Sequence, residues 1–411
     1  IGDLSWWELY NDTTLQQLIH RALTYNKDLK IASARMNELA ALKRIDFANM
    51  FPQATARLNG NRETTNYGGD NFDADPELSL TASISWELDL WGNLRWARDH
   101  STAGFLASVE NCRAVKMGLV AQVAQSYFEL MALDNELAIV RRTLEARREG
   151  VRLAEIRFKG GLTSEIVFQQ AKVELAKTAT MVPDLERRIS LKESEIALLT
   201  GDFPYAVNRN VLPEEIQLPD ALPLGLPSTL LERRPDIRKA ERELMAAHAE
   251  VGLAYTNMFP RLALTATLGA ESETLRDLLK SPYSYLAGNL LSPLFAMGKN
   301  RAALKAKRAA YEGAVAEYEK TVLTAFKETH DAIINFNKIK DIYESRRQLA
   351  EASRTAVELA QLQYINGVIG YLDLLDAQRN YFDAQVSLSN AVCNKQLMII
   401  NLYKALGGGW K

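Results

Sequence analysis

Apolar and polar side chains alternate through residues 78–90. Leu78, Leu80, Ala82, Ile84, Trp86, Leu88 and Leu90 share one parity, while Ser79, Thr81, Ser83, Ser85, Glu87 and Asp89 share the other. Period two puts each set on its own face of a β-strand. A second alternation places Leu262, Leu264, Ala266, Leu268 and Ala270 opposite Ala263, Thr265, Thr267 and Gly269. Partner strands are predicted near 53–61 and 284–295, with polar loops over 62–77 and 271–283 closing two hairpins. Both a membrane barrel and a soluble sheet packed on helices fit this alternation.

The rest of the chain reads with a helical period. Val109, Lys116, Val123, Leu130, Leu137, Leu144, Val151 and Phe158 recur every seven residues, as do Val315, Val322, Thr329, Phe336, Tyr343, Ala350, Val357 and Tyr364. Sustained heptads imply left-handed coiled-coil packing. A helix from Asn93 to Phe158 would be roughly 100 Å long. After Gly367 and Gly370 a return helix carries Leu374, Ala377, Tyr381, Ala384 and Leu388 at three-to-four spacing. Its counterpart starts at Phe168, Ala171 and Leu175, and Pro183 is expected to kink it.

The pattern occurs twice. Phe51-Pro52 recurs as Phe259-Pro260, and Asp28-Leu29 as Asp236-Ile237, 208 residues on. Gly92, Leu153, Phe158, Gly161 and Gly201 match Gly298, Leu359, Tyr364, Gly367 and Gly407, 206 residues on. Each copy therefore runs helix, two strands, long helix, break, long helix. Six of the 12 prolines fall between Pro204 and Pro235, which marks an extended crossover between the copies.

Composition narrows the class. The 411 residues carry 49 Lys+Arg against 51 Asp+Glu, a net charge of −2, which excludes a bulk basic nucleic-acid binder. Apolar residues make up 47%, enough for a core and against disorder. No run of 18 apolar residues would span a membrane as a helix, but a β-barrel needs no such run. No signal-peptide pattern starts at Ile1. No GxxxxGK loop, GxSxG elbow or metal-ligand spacing is present, so neither an enzyme nor a cofactor or metal site is expected. The four histidines, His20, His100, His248 and His330, are scattered.

Four strands cannot close a barrel, and an open amphipathic sheet leaves its edges unpaired. In lipid, closure is obligatory because no water satisfies those edges. Two chains would supply eight strands and three would supply twelve, the latter wide enough for a lumen. Membrane entry thus requires a cyclic homo-oligomer.

The segments WWELYNDTTLQQLI (6–19), WELDLWGNLR (86–95), LLERRPDIRKAERELMAAHAEVGLAYTNMFPRL (230–262), YLDLLDAQRNYFDAQ (371–385) and LYKALGGGW (402–410) resemble the TolC-like outer membrane factors, nearest the OprM-type branch. The resemblance spans essentially the whole chain. It implies a mixed α and β membrane protein, a homotrimer forming a 12-stranded outer-membrane β-barrel continued by a long coiled-coil α-helical periplasmic tunnel. It further implies passive exit of drugs or small solutes delivered by a periplasmic adaptor protein and an inner-membrane efflux pump of the resistance-nodulation-division type. A lipid anchor upstream of Ile1 is part of that expectation. Polypeptide secretion and a non-channel coiled-coil scaffold are the alternatives. The corresponding organisation is an N-terminal equatorial segment (1–50), a first β-hairpin (51–92) and a first helical hairpin (93–200). A Pro-rich linker with the second-copy helix (201–258), a second β-hairpin (259–298), a second helical hairpin (299–406) and a tail (407–411) follow.

Asp373 and Asp376 stand one turn apart on one helix face, just after the glycine break. Acids in a first helical turn complement the helix dipole. The resemblance adds a second role, a ring of carboxylates around the periplasmic entrance that favours cations. Arg379 would neutralise or tether part of that ring, and Tyr364 matches a gate tyrosine. Ile369 and Val167 depart from the family pattern, standing where an arginine and an acid would. The turns at Gly161, Leu162 and Thr163 and at Gly367, Val368 and Ile369 are expected to meet the adaptor. Trp86, Trp91 and Trp96, with Trp6, Trp7 and Trp410, suit either membrane-interface anchoring or junction packing. Cys112 and Cys393 suit packed free thiols, with a disulfide as the other reading.

Overall fold

The computed structural model describes residues 12–65, 73–209, 232–293 and 295–408. Trp6, Trp7, Trp410 and most of the Pro-rich crossover, each the subject of an expectation above, lie outside them. In chain order the elements are α1 (Thr13–Tyr25), α2 (Lys27–Ala48), β1 (Gln53–Thr65), β2 (Asp73–Leu88), α3 (Asn93–Lys159) and α4 (Glu165–Thr200). The second half continues with α5 (Pro235–Thr256), β3 (Arg261–Ser272), β4 (Pro282–Leu291), α6 (Lys299–Ile365) and α7 (Tyr371–Ala405). Among the described residues no helix is long and apolar enough to cross a membrane.

Duplication is written into the backbone. α3 and α6 are each 67 residues long, and α4 and α7 are 36 and 35. Six glycines with positive φ form three pairs: Gly92 with Gly298, Gly161 with Gly367, and Gly201 with Gly407. Their spacing is the 206-residue offset of the sequence.

Two compact units emerge. One comprises Ser33–Asn111 and Arg238–Thr321. It holds a four-stranded antiparallel sheet in the order β1-β2-β3-β4. In register, Ala54 faces Ile84, Ile84 faces Ala266, and Ala266 faces Leu286, so apolar positions of all four strands share one face. Ser83 faces Thr267, which faces Tyr285, on the other. The Ser83 and Thr267 hydroxyls hydrogen-bond at 2.9 Å.

Strand ends differ from the expected ones. β1 and β2 reach into the polar stretch 62–77, pairing as far as Thr65 with Asp73. Ladder hydrogen bonds use backbone groups and need no apolar side chains. β2 stops at Leu88, short of Leu90, because Asp89 is recruited to start α3. Its Oδ1 accepts the Leu94 N–H and its Oδ2 the Arg95 N–H, both at 3.0 Å. β4 ends at Leu291, before the expected 295, with Pro293 two residues beyond. The loop expected over 271–283 shrinks to 273–281 and contains a 3₁₀ turn at Leu278–Lys280. The Trp86 indole donates to the Met50 carbonyl at 3.0 Å and that of Trp91 to the Pro260 carbonyl at 2.8 Å. Trp91 also stacks on Phe259 at 5.0 Å. Both rings stay exposed, so they combine junction packing with an open face.

The other unit comprises Ile1–Ala32, Cys112–Ile237 and Val322–Lys411. Its core joins Leu15 and Ile19 of α1, Val123, Tyr127 and Leu130 of α3, Ile196 of α4 and Ile400 and Tyr403 of α7. The heptad positions Val123, Leu130, Leu137 and Leu144 are all buried, as the seven-residue spacing requires. Asp12 fastens α1 twice: Oδ1 caps the Thr14 and Leu15 N–H groups, and Oδ2 accepts the Tyr127 hydroxyl at 2.8 Å. α4 runs unbroken through Pro183. Cys112 and Cys393 are both free thiols. Cys393 is buried against the Phe128 carbonyl, and burial pushes its pKa up to about 12.

Candidate gate and hairpin turns

The α3–α4 and α6–α7 turns share one construction. Gly161 at φ 73° donates to the Phe158 carbonyl (2.9 Å), and Leu162 donates to that of Arg157 (2.8 Å). Gly367 at φ 76° donates to Tyr364 (3.1 Å), and Val368 to Gln363 (2.9 Å). These paired bonds satisfy the last carbonyls of each helix in a Schellman motif. Nothing lies within 4 Å of a Cβ placed at either glycine, so backbone conformation alone demands glycine there. The next residue projects outward: Leu162 is 73% exposed and Val368 70%. Thr163 and Ile369 are half-buried.

Gly370 caps α7, and its N–H donates to Asp373 Oδ2 at 3.0 Å. Asp376 accepts from the Asn380 amide at 3.2 Å. Both aspartates are exposed, one turn apart on the face the sequence predicts, while Leu374 and Leu375 are buried. Asp373 thus performs the helix-start role directly in the single chain.

Arg379 does not approach either aspartate through a hydrogen bond; its guanidinium binds Glu174 of α4. Glu174 is 5% exposed and also lies 3.5 Å from Arg147 of α3, itself 7% exposed. The Arg379 hydrogen bond, aided by the charge of Arg147, holds the Glu174 carboxyl below its ordinary range against burial. Burial is the main force lowering Arg147 from the usual arginine value, with Glu174 opposing it. Tyr364 is buried, its ring 4.8 Å from the Arg157 guanidinium and 5.8 Å from the Tyr371 ring. Burial pushes the Tyr371 phenol up. The two hairpin turns are therefore joined by an Arg147–Glu174–Arg379 chain and an Arg157–Tyr364–Tyr371 stack.

The family model described as "Outer membrane efflux protein" matches residues 18–202 and 226–408, one stretch in each half of the duplicated fold. This chain belongs to the outer membrane efflux protein family. It is 33% identical over 412 residues to the solvent efflux pump outer membrane protein SrpC of Pseudomonas putida, covering 98% of this chain and 87% of that protein. It is 32% identical to outer membrane protein OprJ of Pseudomonas aeruginosa, covering 100% and 87%. The solved outer-membrane channel OprN superposes with a TM-score of 0.92 at 31% identity, covering 98% of this chain and 92% of that one.

In this efflux protein the sequence reasoning singled out Arg379 but missed Glu174 and Arg147. A signal was available. Ala171, Glu174 and Thr178 are all buried on α4 at three-to-four spacing, and Leu144, Arg147 and Ala154, three and seven residues apart, are buried on one face of α3. A charge sitting in a buried stripe requires an opposite charge to face it.

Proposed function

We propose that this chain is the outer-membrane channel component of an efflux pump, a passive duct for small solutes. It acts in the outer membrane of a Gram-negative bacterium. One observation carries the reading. The sheet's apolar face is uncovered, with Leu58, Ile84, Leu268, Leu286 and Leu290 all exposed, and among the described residues β1 and β4 each pair on one side only. Water disfavours such a face, and a bilayer accepts it only when the edges are closed. Three copies would close twelve strands, with the polar face lining the lumen. The long helices would then form the periplasmic tunnel, and outer-membrane lipid would meet the apolar band.

Asp373 and Asp376 would ring the entrance, with Tyr364 and Arg379 holding its helices through Arg157 and Glu174. Leu162 and Val368, beside Gly161 and Thr163 and Gly367 and Ile369, would offer an exposed aliphatic surface to a periplasmic adaptor linked to an inner-membrane pump of the resistance-nodulation-division type. Energy for export would come from that pump.

Single-channel recording in a planar bilayer tests the reading. Wild type is expected to conduct weakly and to prefer cations; the Asp373→Ala/Asp376→Ala variant conducts more with a weaker preference. Identical wild-type and variant currents would remove the gate assignment and leave the channel. Absence of any current would remove the channel.

A further inference from the structure

A cavity of about 660 Å³ opens where β3 and β4 meet α5 and the start of α6. That size lies within the roughly 300–1,000 Å³ of small-molecule sites. Leu253, Phe259 and Leu291 supply an apolar wall, and Arg261, Lys299 and Lys307 supply three cations. Glu250 is the one acid among the described lining residues, and Lys307 takes it at 2.7 Å. Arg261 instead donates to the neutral Asn257 amide oxygen at 2.7 Å, so its charge is not offset there. Lys299 opens α6, adding its charge to the positive end of that helix. The cavity therefore combines an apolar body with a net positive rim.

Strand parity fixes which side of the sheet it serves. Arg261 pairs with Leu291 across β3–β4 and shares the face of Thr265 and Thr267, the polar one. We propose that this cavity is a subsite for an organic anion with an apolar body, an aryl or alkyl sulfonate or carboxylate, in transit along the channel. The inference rests on the reading that the polar face lines the duct. It gives the duct a second charged station, opposite in sign to the aspartates of α7. A phospholipid carries the same anionic-plus-apolar chemistry, but would reach the cavity from the apolar face, to which Arg261 does not belong.

The probe is 2-naphthalenesulfonate, dialysed to equilibrium against the full chain in an uncharged detergent with protein-free micelles as reference. Wild type is expected to bind saturably. Arg261→Gln/Lys299→Gln should weaken binding about tenfold or more. Ala303→Trp, which fills the cavity and keeps its charges, should weaken it similarly. Lys305→Gln, which removes one positive charge on α6 outside the cavity, should leave it unchanged, and the trimethylammonium analogue of the naphthalene should not bind. Non-saturable wild-type uptake, equal binding of the cation, or an equal loss in Lys305→Gln would overturn the proposal. So would displacement by phosphatidylglycerol at lower concentration than the sulfonate, which would assign the cavity to lipid. Bilayer recording separates the two readings. Sulfonate binding without channel current would retain the cavity and remove the duct; current without binding would remove the cavity alone.

Discussion

The two halves of the molecule solve the same joint with different chemistry. In the first, the Asn26 amide donates to the Leu199 carbonyl at the end of α4 (3.0 Å) while its oxygen caps the Leu29 N–H (2.9 Å). In the second, Arg234 donates to the Ala405 carbonyl at the end of α7 (3.3 Å). The two donors are 208 residues apart and the two acceptors 206, so these are equivalent positions. Arg234 adds what Asn26 cannot: bonds to Asp236 at 3.1 and 2.6 Å and to Glu328 at 2.6 Å. Thr329 donates to the same Ala405 carbonyl at 3.2 Å. Both donors are buried, Asn26 at 3% and Arg234 at 4% exposure. A duplicated backbone need not keep a duplicated chemistry; one copy holds its helix end with a neutral amide and the other with a charge cluster.

Removing the charged joint should have the largest effect. Arg234→Ala leaves the partly exposed Asp236 and Glu328 carboxylates unpaired and frees the end of α7, and is expected to cost about 2–3 kcal/mol by denaturant unfolding. Acidification should act on the same joint. Burial works against ionisation of Asp236, yet the hydrogen bonds and charge of Arg234 hold its carboxyl below the ordinary 3.8. A depressed carboxyl stabilises fully above the ordinary value, and that contribution is lost as pH falls through the lowered one. Hydrogen exchange at low pH should therefore rise at the end of α7 before the end of α4, because Asn26 carries no charge. Asn26→Ala should cost less than Arg234→Ala, about 1–2 kcal/mol, for one buried carbonyl bond and one cap. Equal costs would show that the ion cluster adds nothing to its neutral counterpart.

The turn glycines are the place where the halves should agree. Gly161→Ala and Gly367→Ala each force a Cβ into the left-handed region with open space around it, so each should cost about 1 kcal/mol. Thermal unfolding of the two variants should coincide. A larger effect at Gly367 would mean that Asp373, bonded to Gly370, couples the turn to α7 more tightly than Ser164 couples its counterpart to α4.

Much of this architecture was open to inspection in the primary structure. The heptad from Val109 to Phe158 placed α3 to within a residue at its far end, and the Gly161 and Gly367 pair placed both turns. Asp373 and Asp376 emerged on one helix face because a three-residue spacing decides that locally. Strand ends were less legible: nothing in the alternation says that Asp89 will leave β2 to cap α3.

Periodicity and glycine placement, then, determined the elements, their duplication and the two-faced sheet, because those follow from local geometry repeated along the chain. Only the tertiary structure decided which charges meet. Glu174 finds Arg379 across 205 residues, and Arg234 finds Glu328 across 94. A buried charge declares that it needs a partner, but its choice among distant candidates is set by how helices align once they pack.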